Sequence, residues 1–206
     1  MRTWLCADCH FGHQNIIKYC NRPFADAEEM DRCLVANWNA CVQPGDTVYF
    51  LGDFCFGGAD MFARLLEGLN GVVGFIKGNH DKGLSQFVRH FHQPGANRPA
   101  DRKILFYEKY KTATIEGQTV FLAHFAHRVW DRSHHGSLHA YGHSHGTLPD
   151  DWGKSMDVGV DATARRLAAG GPLLKENYRP VSAQEFLSIM AARPVKNEQK
   201  KGIQAP

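Results

Sequence analysis

Three apolar stretches in the first 81 residues each run straight into a cluster of polar side chains, and this repetition constrains the fold more than any other feature. Residues 2–8 (RTWLCAD) end in Asp8, residues 46–53 (DTVYFLGD) end in Asp53, and residues 71–81 (GVVGFIKGNHD) end in Asn79, His80 and Asp81. Their β-branched and aromatic content, followed by glycine punctuation, predicts buried strands. Between them, residues 25–42 set Met30, Leu34, Trp38 and Cys41 at helical spacing, and residues 60–69 supply a second, shorter helix. The result is a βαβαβ pattern. In an open α/β sheet, ligands gather beyond the carboxyl ends of the strands, so the three clusters should meet in one crevice.

The second half changes character. Residues 103–125 alternate and contain a Glu116-Gly117 turn, which predicts antiparallel strands. Residues 139–146 (HAYGHSHG) and 155–162 (SMDVGVDA) continue the pattern, and strands again end in histidine. Residues 92–102 read as a surface loop, and residues 182–193 as a final helix capped by Ser182. We expect one domain over residues 1–193 and a disordered polar tail over 194–206.

Charge and cysteine usage exclude several functions. Of the net charge of +3, the tail residues Lys196, Glu198, Lys200 and Lys201 carry +2, so the body lacks the basic face that a nucleic-acid partner would need. No apolar window reaches the roughly 20 residues of a membrane span, and the N-terminus turns polar too early for a signal peptide, so we expect a cytoplasmic chain with no membrane partner. All six cysteines lie within the first 55 residues. In a reducing compartment they read as free thiols.

The stretch CADCHFGH, residues 6–13, is open to three readings: C-x-x-C-H haem attachment, half of a zinc site, or an Asp-x-His pair on a catalytic metal. No second C-x-x-C exists to complete a zinc ribbon. The i, i+2 spacing of Asp8 and His10, and of His143 and His145, keeps both members of each pair on one side of extended chain, which favours the third reading.

Taken in order, DCH, GDF, GNHD, AHF and GHSH resemble the calcineurin-like metallophosphoesterase superfamily, over a span from about residue 3 to 162. They look most like its small bacterial and phage phosphoesterases. The resemblance implies a four-layer αββα sandwich with two mixed β-sheets and the metal site at the strand carboxyl ends. It also implies two divalent ions per chain. One would be held by Asp8, His10, Asp53 and His145, and the other by Asp53, Asn79, His124 and His143, with Asp53 shared. Imidazole and carboxylate donors without thiolate suit manganese, iron, cobalt, nickel or zinc, with manganese the first assay choice.

The activity implied is hydrolysis of a phosphomonoester, phosphodiester or nucleotide by in-line attack of a metal-bridging hydroxide, with His80 as general acid. The chain departs from the phosphoprotein phosphatases of that superfamily. Their G-D-x-x-D-R-G is here GDFCFGG, with Phe56 and Gly57 in place of the carboxylate and the arginine. His13, Asn15, His127 and Arg128 are expected replacements as substrate contacts. A catalytically silent binding module and a nuclease are the alternatives. The intact ligand set argues against the first and the low body charge against the second. We expect a small phosphoester partner and no protein partner.

Overall fold

A computed structural model describes residues 1–91, 104–107, 109–149 and 152–195. The strands and helices anticipated in the first half are present, shortened at their ends: β1 (Thr3–Cys6), β2 (Thr47–Phe50) and β3 (Val72–Ile76), with α2 (Ala27–Cys41) and α3 (Ala59–Gly68) between them. Asp26 starts α2 by accepting the Glu29 N–H at 2.8 Å, while Glu29 reaches back to the Ala25 N–H at 2.7 Å. These contacts satisfy two amides that would otherwise lack partners at the helix start. Met30, Leu34 and Trp38 then fall on its buried face.

The sequence reading did not anticipate α1 (Gln14–Cys20), α4 (Lys82–Phe91) or α5 (Val160–Ala168). The apolar run at 155–162 divides: β8 (Ser155–Asp157) ends early, and the remainder opens α5 behind Gly159. The expected loop at 92–102 lies outside the described residues, as does the tail beyond residue 195.

Two mixed sheets form the centre. One runs β4 (Leu105–Tyr107), β3, β2, β1, β9 (Val181–Ser182), parallel except for β9. The other runs β5 (Tyr110–Ile115), β6 (Gln118–Ala123), β7 (Leu138–Tyr141), β8, with β5 and β6 antiparallel and the rest parallel. Glu116 (φ 46°) and Gly117 (φ 78°) make the β5–β6 turn in the left-handed conformation that tight hairpins favour.

Alternate residues of the first sheet face opposite ways. Trp4, Cys6, Val48, Phe50, Val73 and Phe75 pack under the helices, against Phe54, Phe62, Met30 and Trp38. Leu5, Ala7, Leu51 and Ile76 meet Val120, Leu122, Ala140 and Met156 of the second sheet. α6 (Ala183–Ala191) closes this inter-sheet core with Phe186 and Met190, and Ser182 caps it as expected. On the outer face of the second sheet, Trp130 and Trp152 from loop segments pack against Phe121 and Ala123.

Candidate metal centre

The loops that follow β1 and β2 run side by side. The Asp8, His10 and Phe11 N–H groups donate to the carbonyls of Gly52, Asp53 and Phe54 at 3.0, 3.1 and 2.9 Å. The second sheet is tied to the same place, since His143 N–H donates to Asp8 Oδ2 at 2.8 Å and Gly142 N–H to the His124 carbonyl at 3.0 Å. The expected ligands therefore come from both sheets: His10, Asp53, His143 and His145 line one cleft of about 700 Å³, with Asp8 and His124 buried beside them.

Five of them, Asp8, His10, Asp53, His143 and His145, have φ between 49° and 67°. This left-handed conformation costs an L-residue about 1 kcal/mol or more, and aspartate and histidine are among the side chains that tolerate it best. Strain of this kind persists where the surroundings over-determine it, and it is concentrated here on side chains that point at one another. Gly78 allows the approach, because a Cβ there would collide with the Asp53 carboxylate and backbone. At Gly142 a Cβ would come within 2.8 Å of Asp8 Oδ2.

Asp53 Oδ2 lies between two imidazoles, 3.5 Å from His10 Nε2 and 3.4 Å from His124 Nε2. His124 Nδ1 sits 2.7 Å from the Leu51 carbonyl, and its Nε2 faces Asp53 and, at 2.9 Å, Asn79 Oδ1. Burial works against its charged form, but contact with Asp53 raises its pKa, so a cation at Nε2 would take the place of a proton there. Two compact donor groups result: Asp8, His10 and His145, and Asp53, His124 and His143. Asp8 Oδ1 and His10 Nε2 are buried without a hydrogen-bond partner. Acceptor atoms gathered within reach of one another, two of them buried without a partner, fit divalent cations.

Electrostatics point the same way. Burial, with Asp157 and Asp53 nearby, pushes the Asp8 carboxyl well above its ordinary range, a penalty that a cation would reverse. Burial holds His10 down to about 3, so its imidazole is neutral and free to donate its lone pair. Burial also works against the Asp53 carboxylate, but contact with His124 and the His80 N–H overcomes it and holds Asp53 at about 2.

Behind these donors stands an arginine that the sequence reading missed. Arg22 is buried and pairs both ways with Asp161: Nε to Oδ1 at 2.9 Å and one terminal nitrogen to Oδ2 at 2.7 Å. It also donates to the Asp8 and Cys9 carbonyls at 2.7 and 2.8 Å. Asp161 Oδ2 in turn accepts from His145 Nδ1 at 2.7 Å, an arrangement that aims the other ring nitrogen into the cleft. Asp157, the other carboxylate in that stretch, receives the Gly146 and Gly159 N–H groups instead. In the CNRPF loop, nothing local separates Arg22 from a solvent-facing arginine.

Asp81 is committed to backbone, accepting the N–H groups of Asp53, Phe54 and Gly78 at 2.9, 2.8 and 2.7 Å. It shapes the Asp53 turn and leaves His80 without it as a partner. His80 donates its own N–H to Asp53 Oδ1 at 2.8 Å and lines the cleft.

Among the expected substrate contacts, His13 lines the cleft and stacks on Phe56 at 4.2 Å. Asn15 is exposed on α1 and is not among the cleft-lining residues. His127 and Arg128 line a separate pocket of about 360 Å³ with Tyr141 and Trp152. Ala126 and Leu148 border both this pocket and the cleft. His134 and His135 are exposed, and His139 is a core residue with both ring nitrogens bonded.

Cys6 and Cys9 are buried free thiols with sulfurs 3.9 Å apart, and neither belongs to a donor group. Cys20 does lie near His145 and Asp161, but burial pushes its thiol up to about 12 and Arg22 already engages Asp161. We read it as wall. No described helix is long and apolar enough to cross a membrane.

Comparison with known proteins agrees with this geometry. The chain is 34% identical over 197 residues to MJ1445 of Methanocaldococcus jannaschii, described as an uncharacterized protein, covering 92% of this chain and 91% of that one. Its fold is similar to the crystal structure of AQ665, a protein of unknown function from Aquifex aeolicus, with TM-score 0.64, 20% identity and coverage of 91% of this chain and 98% of that one. The sequence pattern described as calcineurin-like phosphoesterase matches residues 1–171, the span that carries every donor described above, and the chain belongs to that family.

Proposed function

We propose that the protein is a cytoplasmic, dinuclear metal-dependent hydrolase of a small phosphoester or nucleotide. The observation that carries the reading is Asp53 Oδ2, set between His10 Nε2 and His124 Nε2 at 3.5 and 3.4 Å, which is what a carboxylate shared by two ions requires. One ion would be held by Asp8, His10, Asp53 and His145, and the other by Asp53, Asn79, His124 and His143. Two divalent ions, when bound, supply an activated water and positive charge for the phosphoryl oxygens.

The remaining work falls to the chain. Arg22 and Asp161 fix the His145 ring, and Asp81 fixes the backbone that presents Asp53. His80, anchored by its N–H on Asp53 and open to the cleft, is placed to give a proton to the departing oxygen. His13 and Phe125 border the space that the ester would occupy.

The test is a manganese-supplemented assay on p-nitrophenyl phosphate and bis(p-nitrophenyl) phosphate, run beside elemental analysis. Two metal equivalents and turnover of at least one ester are expected. Two bound equivalents with no turnover of either ester, or of a mononucleotide panel, would favour the silent binding module.

A further inference from the structure

The cleft that carries the candidate metal donors has no lysine or arginine among its described lining residues. A second pocket, of about 540 Å³, carries three: Lys77 at the end of β3, Arg89 on α4 and Lys109 ahead of β5. The two cavities meet at Phe125, which lines both, and Asn79 forms the border, its Oδ1 facing His124 on one side while the residue lines the second pocket on the other. No acidic residue lines this pocket among the described residues, and its floor is apolar: Phe75, Leu84, Val88 and Phe106. It continues along α4 into a smaller space of about 300 Å³. There the one carboxylate, Asp81, is already held by three backbone N–H groups.

Charge is thus divided between two compartments. In the first it would come from metal ions, whose number the donor set fixes. In the second it comes from side chains with no bond-making task in the hydrolysis. A ligand that filled only the metal cleft would leave the three cations idle. An anion beside an aromatic surface is what the second pocket suits, since lysine and arginine attract phosphate while Phe106 and Phe125 offer faces on which a base can stack.

We infer that the pocket lined by Lys77, Arg89 and Lys109 binds a second phosphate and its adjoining base, so that the substrate is a short nucleotide phosphodiester carrying an additional terminal phosphate. This names the substrate class within the phosphoesterase reading above and rests on it for catalysis, though not for binding.

Two measurements test it separately. In the first, AMP and adenosine are titrated against the metal-free full chain, so that the metal centre contributes nothing. AMP is expected to bind roughly tenfold more tightly than adenosine, an advantage that shrinks with added salt and disappears in the Arg89→Ala/Lys109→Ala variant. In the second, the manganese-loaded chain is given ApA, pApA, ApAp and bis(p-nitrophenyl) phosphate. One of the two phosphorylated dinucleotides should show a kcat/KM roughly tenfold above ApA, falling level with ApA in the double variant, while bis(p-nitrophenyl) phosphate turnover is unchanged and reports an intact fold.

Equal affinity for AMP and adenosine in the wild-type chain overturns the inference whether or not the variant folds. So does a phosphate preference that survives the double substitution. Turnover of bis(p-nitrophenyl) phosphate without AMP binding sinks the pocket alone. AMP binding without turnover of any ester sinks the phosphoesterase reading and leaves the pocket standing.

Discussion

The two donor groups of the cleft differ in how they are held. Asp8 and His10 are 0% and 3% exposed, and the Arg22–Asp161 pair behind His145 is itself buried, so the inner group is braced from inside the fold. The outer group contains the buried Asp53 and His124 but is completed by His143 and Asn79, both exposed, and has His80 beside it facing solvent. A donor locked by a buried network loses little freedom on taking up a metal, whereas an exposed one must be ordered first. The inner group should therefore hold its ion more tightly, and the outer group should lie closer to the chemistry.

The largest test is Asp53→Ala, which removes the atom common to both groups. Both ions should be lost, with activity falling by on the order of 10³-fold or more. Two tightly held equivalents in that variant would show the groups to be independent and remove the basis for comparing them.

His80→Ala probes the outer side. If His80 protonates the departing oxygen, hydrolysis of an ester with a ribose leaving group should fall by about 10²- to 10⁴-fold, and a nitrophenyl ester, which departs as the anion, should lose far less. Asn79→Ala should damage both substrates similarly. Equal losses in His80→Ala at unchanged metal content would assign His80 to positioning.

Arg22→Met probes the inner side. It leaves the Asp161 charge buried and unpaired, which should lower stability by roughly 3–5 kcal/mol in denaturant unfolding. It should also weaken the tighter metal by about 10- to 100-fold while sparing the weaker one. Adding Asp161→Asn removes the stranded charge and should restore stability but not metal affinity. Recovery of both would reduce the pair to a structural prop.

Chelator titration of the wild-type chain orders the two groups directly. One equivalent should leave well before the other, and His143→Ala should already lack it. Simultaneous loss would erase the distinction between the groups. The smallest effect belongs to the thiols. Burial pushes Cys20 up to about 12 and Cys55 up to about 11, so both stay protonated through the neutral range, and neither should react with iodoacetamide at pH 8 in the folded chain. Cys6→Ala/Cys9→Ala should keep its metal and most of its activity, and metal loss there would reopen the reading of CADCH.

What the sequence determined by itself is local in origin. An apolar run long enough for a buried strand, ending in Asp8, Asp53 or Asn79-His80, carries both the fold class and the candidate donors, because strand direction and the position of its carboxyl end are written into one continuous segment. The Ser182 cap of α6 and the Glu116-Gly117 turn were legible for the same reason. Helices α1, α4 and α5 were not, since their helical state is settled by what they pack against.

Only the tertiary structure decided which polar residues meet. Arg22 and Asp161 are 139 residues apart, and no local pattern distinguishes a buried bidentate pair from two surface charges. Asp81 clamps three amides, and His127 and Arg128 line the adjoining pocket, because chain direction after a motif is fixed by packing. The strain at Asp8, His10, Asp53, His143 and His145 belongs to the same class. Their left-handed backbone is sustained by contacts between two sheets, and those contacts do not exist until both sheets have formed.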